Sequence, residues 1–247
     1  MLRFDPNLIN VQLSQKTVLI YSVRKLIQRS IDKNIQLFHG TIVDLGCGEM
    51  PYENYLLQKN AKQIKKYIGV DISDGIYHKN VNSDVHWNGR KIPLGDNYAD
   101  TVIATELFEH LSNIPKIISE THKVLKTNGV LFFTTPFVWP LHETPNDQVR
   151  PTPYFLNKHI KKSKFKEVKI RPPGNYHASL AQMFCIWLYN FHCNHHMSNL
   201  RSKVFTTTES YILYPIIKKL IDLDEKLNIE EYGYGTMATG FYGYAKK

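Results

Sequence analysis

The stretch "TIVDLGCGEMPY", residues 41–52, decides the fold. A short apolar run ends at Asp44 and is followed by Gly46 and Gly48, with a cysteine between them. Glycines after a strand let the backbone turn tightly and approach a ligand with no Cβ in the way. Pro51 stands where a nicotinamide-binding turn would have its third glycine, and no Gly-Lys-Ser/Thr follows as in a P-loop. The turn therefore predicts a ligand that is not a pyrophosphate.

Short β-branched runs alternate with helical stretches on both sides of this turn. Residues 15–38 have the apolar spacing of an amphipathic helix, and residues 114–129 predict a second helix with Asn128 and Gly129 as its stop. The predicted strands are residues 41–45, 67–72, 101–105, 130–135 and 165–170. Strand and helix in alternation indicate a parallel sheet with helices on both faces, a doubly wound α/β fold.

The later part of the chain breaks this alternation. Residues 172–228 contain an aromatic-rich stretch and a good amphipathic helix, and residues 229–247 return to strand character. We expect one domain of 247 residues. It divides into an N-terminal helical region (1–40), a ligand-binding core (41–171), a helical insertion (172–228) and a closing strand (229–247).

Composition restricts the class of protein less than the motifs do. The formal charge of +9 and the pI of about 9.3 suit acidic partners, but the lysines are spread along the chain, which favours a solvated surface over a nucleic-acid stripe. Three cysteines without paired spacing indicate neither a disulfide framework nor a zinc ribbon, so we expect a cytoplasmic protein. The N-terminus lacks an apolar signal region, and residues 179–191 are too short to span a membrane.

Asp71 ends the second predicted strand, 25 residues after Gly46. An acidic residue near this spacing meets the ribose diol in doubly wound nucleotide-binding folds. A solvated or helix-capping aspartate is the alternative interpretation of this residue alone.

Taken together, the motifs make the chain resemble a class I S-adenosylmethionine-dependent methyltransferase. "IVDLGCGEMPY" resembles the first motif of that family, "YIGVDIS" the second, "IPLGDNYADTVIATELFEHL" the region of the fourth strand and "KVLKTNGVLFFTTPF" the fifth. The resemblance covers residues 41 to about 137. It implies a Rossmann-like methyltransferase fold whose seven strands lie in the order 3-2-1-4-5-7-6, with an antiparallel last strand and a helical insertion before it.

The resemblance also implies which residues hold S-adenosylmethionine. Asp44 and the glycine turn would line its methionine end, Asp71 its ribose, and the loop after the third strand its adenine. The family often has an aspartate in that loop, whereas this chain has Asn88, whose amide can donate as well as accept. For the neighbouring Trp87 we favour packing over stacking on the ligand. The predicted cofactor residues are Asp44, Gly46, Cys47, Gly48, Asp71, Ile72, Asn88, Gly89, Thr105 and Glu106.

Candidate catalytic residues lie in two segments that follow predicted strands. His110, in "TELFEHL", is a structural or cofactor-facing candidate. The second segment, "TPFVWPLHETPNDQVRPT", resembles a loop of methyltransferases found in bacterial cell-surface polysaccharide clusters, which implies a sugar hydroxyl acceptor. His142 is then the general base, Asp147 orients it, and Arg150 binds an anionic group of the acceptor. An Asp147–Arg150 pair that only braces the loop is an equal alternative.

We assign no metal site from the sequence. The segment "HCNHH", residues 192–196, has ligand-type side chains but no second cysteine pair and no HExxH motif, so surface histidines are favoured. The aromatic stretch before it predicts a lid over the acceptor. A contact with the inner face of a membrane, which would reach a lipid-linked glycan, is the alternative.

Other functions share the same core. A small-molecule or quinone-type lipid acceptor is one alternative, an RNA methyltransferase another, and a non-catalytic S-adenosylmethionine-binding partner a third. The absence of an Asn/Asp-Pro-Pro-aromatic loop and of a Pro-Cys nucleophile counts against DNA-base methylation, and nucleic acid is the less favoured partner. The sequence does not predict the oligomeric state.

Overall fold

The computed structural model describes residues 8–72, 83–194, 207–227, 229 and 231–247. Its centre is one sheet of seven strands. These are β1 (Gly40–Leu45), β2 (Ile64–Ile72), β3 (Val85–Trp87), β4 (Ala99–Thr105), β5 (Leu125–Pro136), β6 (Lys166–Arg171) and β7 (Gly240–Lys246).

The strand order is β3-β2-β1-β4-β5-β7-β6. The first five strands of this order run parallel, and β7 runs antiparallel to both β5 and β6. The apolar runs of β1, β4 and β5 are buried almost without interruption, as expected for strands with helices on both faces. The sheet confirms the Rossmann-like methyltransferase fold and the strand order that the resemblance implied.

Six α-helices surround the sheet in the described part of the chain. They are α1 (Val18–Lys33), α2 (Glu53–Lys59), α3 (Ile114–Val124), α4 (Pro153–Lys162), α5 (Tyr176–Asn194) and α6 (Tyr214–Leu227). Helix α1 confirms the predicted N-terminal helix.

The predicted stop of the second helix is wrong. Helix α3 ends at Val124 and β5 begins at once, so that Asn128 and Gly129 lie inside the strand. Asn128 has a φ of 63°, and the pairing of β5 with β4 shifts register in this region. The Asn-Gly pair therefore provides an irregularity of the strand and not a helix end.

Helices α5 and α6 form the predicted insertion before the closing strand, and they pack against α1. Their shared apolar cluster includes Tyr21, Leu26, Cys185, Leu188, Ile217 and Ile221. Asp224 of α6 accepts hydrogen bonds from the backbone N–H groups of Asn175 (2.5 Å) and Ala178 (2.9 Å) at the start of α5. These bonds satisfy amides that a helix start leaves without an intrahelical partner. None of the helices in the described ranges has both the length and the apolarity needed to cross a bilayer.

The strand order reverses between β1 and β4, which are neighbours although β2 and β3 lie between them in the sequence. In open α/β sheets, ligands bind outside the carboxyl ends of the strands at such a point. The carboxyl ends of β1, β2, β4 and β5 all lie at this edge.

Candidate active site

The glycine turn after β1 has a backbone that only glycine adopts easily. Gly46 has a φ of +74°, and a Cβ built there would lie 2.7 Å from Cδ1 of Leu107. Its N–H donates to the carbonyl oxygen of Val70 at 2.8 Å. Gly48 has a φ of +50°, but a Cβ there would meet no atom within 4 Å. Gly46 thus fits the turn against β2 and the next loop, whereas Gly48 faces open space at the sheet edge.

Asp44, at the end of β1, is a buried carboxylate beside this turn. Its Oδ2 accepts a hydrogen bond from the Tyr67 hydroxyl at 2.6 Å, while its Oδ1 has no hydrogen-bond partner among the described residues. Burial raises the pKa of Asp44 to about 7; the Tyr67 hydrogen bond opposes this rise and the charge of Asp71 adds to it. Near neutral pH this group is therefore only partly ionised.

Asp71, at the end of β2, is tied to the glycine turn. Its Oδ2 accepts from the N–H of Gly48 at 2.7 Å, and its Oδ1 accepts from the N–H of Ile72 at 2.6 Å. A carboxylate at this position can accept hydrogen bonds from a diol. Ile72 is 40% exposed beside it and offers an apolar wall.

The loop after β3 holds the predicted adenine residues. Oδ1 of Asn88 accepts from the backbone N–H groups of Arg90 (3.0 Å) and Lys91 (3.2 Å), and Gly89 has a φ of +72°. Asn88 therefore shapes the turn, and its contact with adenine stays a prediction. Trp87 is buried in the main apolar cluster, which confirms the packing interpretation.

Glu106 follows β4 in a left-handed conformation, with a φ of 51°. Its N–H donates to the carbonyl oxygen of Thr134, and the Thr134 hydroxyl donates to Oε1 of Glu106 at 2.8 Å. Burial raises the pKa of Glu106. Thr105 lies opposite Thr134 in the β4–β5 register. Burial also raises the pKa of the Cys47 thiol, so Cys47 packs as a neutral, buried side chain.

The loop after β5 places His142, Asp147 and Arg150 together, as the sequence predicted. Nδ1 of His142 lies 3.2 Å from Oδ2 of Asp147, and the backbone N–H of His142 donates to the same oxygen at 3.1 Å. Arg150 forms a two-pronged contact with Asp147, one arm of which measures 2.8 Å. The Arg150 hydrogen bond holds the pKa of Asp147 down at about 2. Both proposed partners of Asp147, the imidazole and the guanidinium, are therefore in contact with it.

Glu109 connects this loop to the segment after β4, and it was not among the predicted site residues. Its carbonyl oxygen accepts from the N–H groups of Gln148 (2.8 Å) and Val149 (3.2 Å). Its side chain is fully buried, and neither carboxylate oxygen has a hydrogen-bond partner in the described ranges. Burial, together with the charge of Glu106, raises the pKa of Glu109 well above its ordinary value. Its position directly before His110 was the only available sequence signal.

His110 lies between the two segments. Its Nδ1 is 3.3 Å from the carbonyl oxygen of Asn146, and its Nε2 is 3.7 Å from Oε1 of Glu109. The ring centroids of His110 and His142 are 5.0 Å apart. The sheet edge therefore carries two imidazoles and a buried carboxylate beside the predicted cofactor crevice, a set that can accept a proton or bind a cation.

The histidine-rich segment differs from its prediction where the structure describes it. His192 is not a surface histidine: its side chain is 10% exposed, with Nε2 2.6 Å from Oε1 of the buried Glu209. Its Nδ1 lies 3.0 Å from Nε2 of Gln15. Helix α5 carries it against the N-terminal segment, which the local sequence could not indicate. His195 and His196 lie outside the described residues.

Comparison with known proteins shows which domains this chain is similar to. Residues 43–133 match the family model of a methyltransferase domain. A probable S-adenosylmethionine-dependent methyltransferase of Mycolicibacterium smegmatis is 28% identical over 100 residues, which cover 38% of this chain and 37% of the relative. An uncharacterised protein of Haemophilus influenzae is 24% identical over 160 residues, covering 57% of this chain and 62% of that protein. The matched regions thus span less than two thirds of either relative.

The fold has a solved counterpart. The crystal structure of a SAM-dependent methyltransferase from Archaeoglobus fulgidus superimposes with a TM-score of 0.54 at 19% identity, covering 90% of this chain and 94% of the other. At this identity the likeness supports the fold.

Proposed function

We propose that this chain, whose residues 43–133 match the family model of a methyltransferase domain, uses S-adenosylmethionine to methylate a sugar hydroxyl in a cell-surface glycan precursor. One observation carries the proposal. The loop after β5 that contains His142 is hydrogen-bonded to the backbone of Glu109, in the segment after β4. An imidazole therefore lies at the same sheet edge as the glycine turn and Asp71.

The crevice residues suit S-adenosylmethionine, whose sulfonium is positively charged. Asp44 offers a buried oxygen with no hydrogen-bond partner among the described residues, and Asp71 offers acceptors for the ribose hydroxyls. A Cβ at Gly48 would point into free space that a ligand can fill. Bound S-adenosylmethionine supplies a methyl group that is already activated for displacement, so the chain itself must orient the acceptor and remove its proton.

We assign proton removal to His142. Nδ1 of His142 faces Oδ2 of Asp147 at 3.2 Å, and we assign to Nε2 the role of accepting the proton of the acceptor hydroxyl while the oxygen takes the methyl group. Burial lowers the pKa of His142, so the imidazole is neutral and able to accept a proton at pH 7. His110, 5.0 Å away between ring centroids, is the neighbouring candidate.

The glycan acceptor is supported by the pattern of the loop at residues 136–152, which resembles that of methyltransferases from surface-polysaccharide clusters. Arg150 binds Asp147 through both arms of its guanidinium, and this contact fits the bracing role. Recognition of an acceptor phosphate or carboxylate by Arg150 remains a prediction.

A lipid-linked acceptor receives support from helix α5. Tyr176, Leu180, Met183 and Trp187 recur at helical spacing, and each is about half exposed. We call these four residues the apolar stripe. A helix with such a stripe on a positively charged protein can lie against an anionic membrane surface.

The test begins with calorimetry of S-adenosylmethionine binding. Purified protein is then incubated with S-adenosylmethionine and panels of nucleotide sugars and lipid-linked glycans, and the products are examined by mass spectrometry. We expect an added methyl group on a sugar oxygen. His142→Ala should keep cofactor affinity and lose about 10²–10⁴-fold in turnover.

His177→Ala provides the matched control, because His177 also pairs with a carboxylate, Asp224, at 3.2 Å. It should retain wild-type turnover. Normal turnover by His142→Ala would remove the base assignment. Methylation of RNA or of a quinone in place of sugars would replace the glycan acceptor. Binding of S-adenosylmethionine without methylation of any acceptor would favour the non-catalytic partner, and absence of binding would overturn the methyltransferase proposal.

A further inference from the structure

Glu109, His110 and His142 each present a metal-ligand atom to a common point. One ligand atom from each residue lies within 4.8 Å of the other two. We infer that these three side chains bind one divalent transition-metal ion. This inference is independent of the glycan acceptor, since it concerns a binding site and not a substrate.

Each of the two histidines has an oxygen close to its Nδ1. Metal-bound imidazoles almost always give their second ring nitrogen to a carboxylate or a backbone carbonyl. Nδ1 of His110 lies 3.3 Å from the carbonyl oxygen of Asn146, within hydrogen-bond distance, and Nδ1 of His142 lies 3.2 Å from Oδ2 of Asp147 without forming a hydrogen bond among the described residues. We assign Nε2 of each ring to the ion.

The buried carboxylate gives an independent reason for a cation. Glu109 is fully buried, and both its oxygens lack a hydrogen-bond partner among the described residues. An unpaired buried carboxylate is costly unless it is neutralised or coordinates a metal. Nε2 of His110 is 3.7 Å from one of these oxygens. A small movement of either side chain would allow one ion to contact both atoms. The cation would convert an unsatisfied group into a ligand.

The chemistry of the three ligands selects the class of ion. Two imidazoles and one carboxylate suit Zn²⁺ and neighbouring divalent transition ions, whereas Mg²⁺ and Ca²⁺ prefer oxygen ligands throughout. Three protein ligands leave a coordination position open, as in catalytic zinc sites. Glu143 has its Oε2 3.9 Å from Nε2 of His110 and is the nearest further carboxylate.

Ion binding and general-base action by His142 exclude each other at any one moment, because Nε2 holds either the ion or the proton. Failure of one proposal is therefore distinguishable from failure of the other. The affinity for the metal ion is measured without S-adenosylmethionine or acceptor. The role of His142 as base is tested by the turnover of chelator-treated protein.

The experiment uses the full chain, stripped with a chelator and titrated with Zn²⁺ by calorimetry. Co²⁺ provides a second readout through its visible absorption, which reports nitrogen and oxygen ligands. We expect one ion per chain, with a loss of at least about 100-fold in affinity for His142→Ala and for His110→Ala, since even changes next to a ligand cost 10–100-fold.

Two variants serve as controls and should keep wild-type affinity. His177→Ala removes an imidazole that also pairs with a carboxylate. The double variant His195→Ala and His196→Ala removes the competing histidine-rich segment. Glu109→Gln should also lose Zn²⁺ affinity. Circular dichroism confirms that each variant is folded, and the partly exposed loop residue His142 keeps the test valid if Glu109→Gln fails to fold. Absence of stoichiometric Zn²⁺ binding, or binding that survives both His110→Ala and His142→Ala, would overturn the inference.

Discussion

The two glycines of the turn after β1 should respond differently to alanine. Both have positive φ, +74° at Gly46 and +50° at Gly48, so either substitution places a Cβ on a left-handed backbone. At Gly46 the new Cβ would also lie 2.7 Å from Cδ1 of Leu107, whereas at Gly48 it meets nothing within 4 Å. Gly46→Ala should therefore mainly reduce stability, and Gly48→Ala should mainly reduce cofactor affinity.

The magnitudes follow from these contacts. The left-handed conformation costs about 1–2 kcal/mol for a residue with a Cβ. The contact at Gly46 adds about 1–3 kcal/mol, since Leu107 is buried and must move. Gly46→Ala should thus lose about 2–5 kcal/mol of unfolding free energy and Gly48→Ala about 1–2. For S-adenosylmethionine, a methyl group in the free space at Gly48 should cost about tenfold in affinity, equivalent to about 1.4 kcal/mol.

Urea denaturation measures the first difference, and calorimetry with S-adenosylmethionine below the unfolding transition measures the second. The matched pair controls for backbone strain, because both positions carry it. Wild-type affinity in Gly48→Ala would show that the ligand does not approach this turn, and equal stability of the two variants would show that the Leu107 contact costs nothing. The first result would contradict the predicted ligand contact at Gly48, and the second would contradict the predicted clash with Cδ1 of Leu107.

Three further predictions concern other parts of the chain. Burial raises the pKa of Asp44 from 3.8 to about 7, so the folded protein holds a proton that the unfolded chain releases, and stability should fall as the pH rises from about 4 to about 7. Asp44→Asn should remove this fall in urea denaturation across that range; an unchanged slope would contradict it. Asp224→Ala should lose about 1–3 kcal/mol for each amide left unpaired at the start of α5. Asp222→Ala, which breaks only exposed ion pairs, should lose less than about 1 kcal/mol. Thermal unfolding of both variants measures the difference, and equal losses would rule out stabilisation of the α5 start by Asp224. Trp187→Glu should abolish sedimentation with anionic vesicles, and retained sedimentation would exclude the apolar stripe as the contact.

The fold could be predicted from local signals that agree with one another. Buried parallel strands give continuous apolar runs, and the glycine turn and Asp71 stand at the ends of two such runs. The error at Asn128 shows where local signals fail. An Asn-Gly pair is equally compatible with a helix end and with a left-handed residue in an irregular strand, and only the pairing of β5 with β4 decides between them.

Side-chain contacts between distant segments were only partly predictable. His142, Asp147 and Arg150 lie within nine residues of one loop, so the contacts among them are local in the sequence. His192 differs, because its contacts with Glu209 and Gln15 depend on how helix α5 packs against distant segments. Spacing along the sequence carries no information about such contacts.

Glu109 shows why the cation site could not be read from the sequence. His142 and Glu109 are far apart in the chain, and they meet because two backbone N–H groups of the loop, at Gln148 and Val149, bind the Glu109 carbonyl oxygen. The Glu109 side chain is fully buried, and its carboxylate has no hydrogen-bond partner among the described residues. A structural role alone would favour an apolar side chain of similar volume at this position, because it would avoid the cost of burying a charge. A buried glutamate pointing at two oriented imidazoles is better explained by a ligand that requires it.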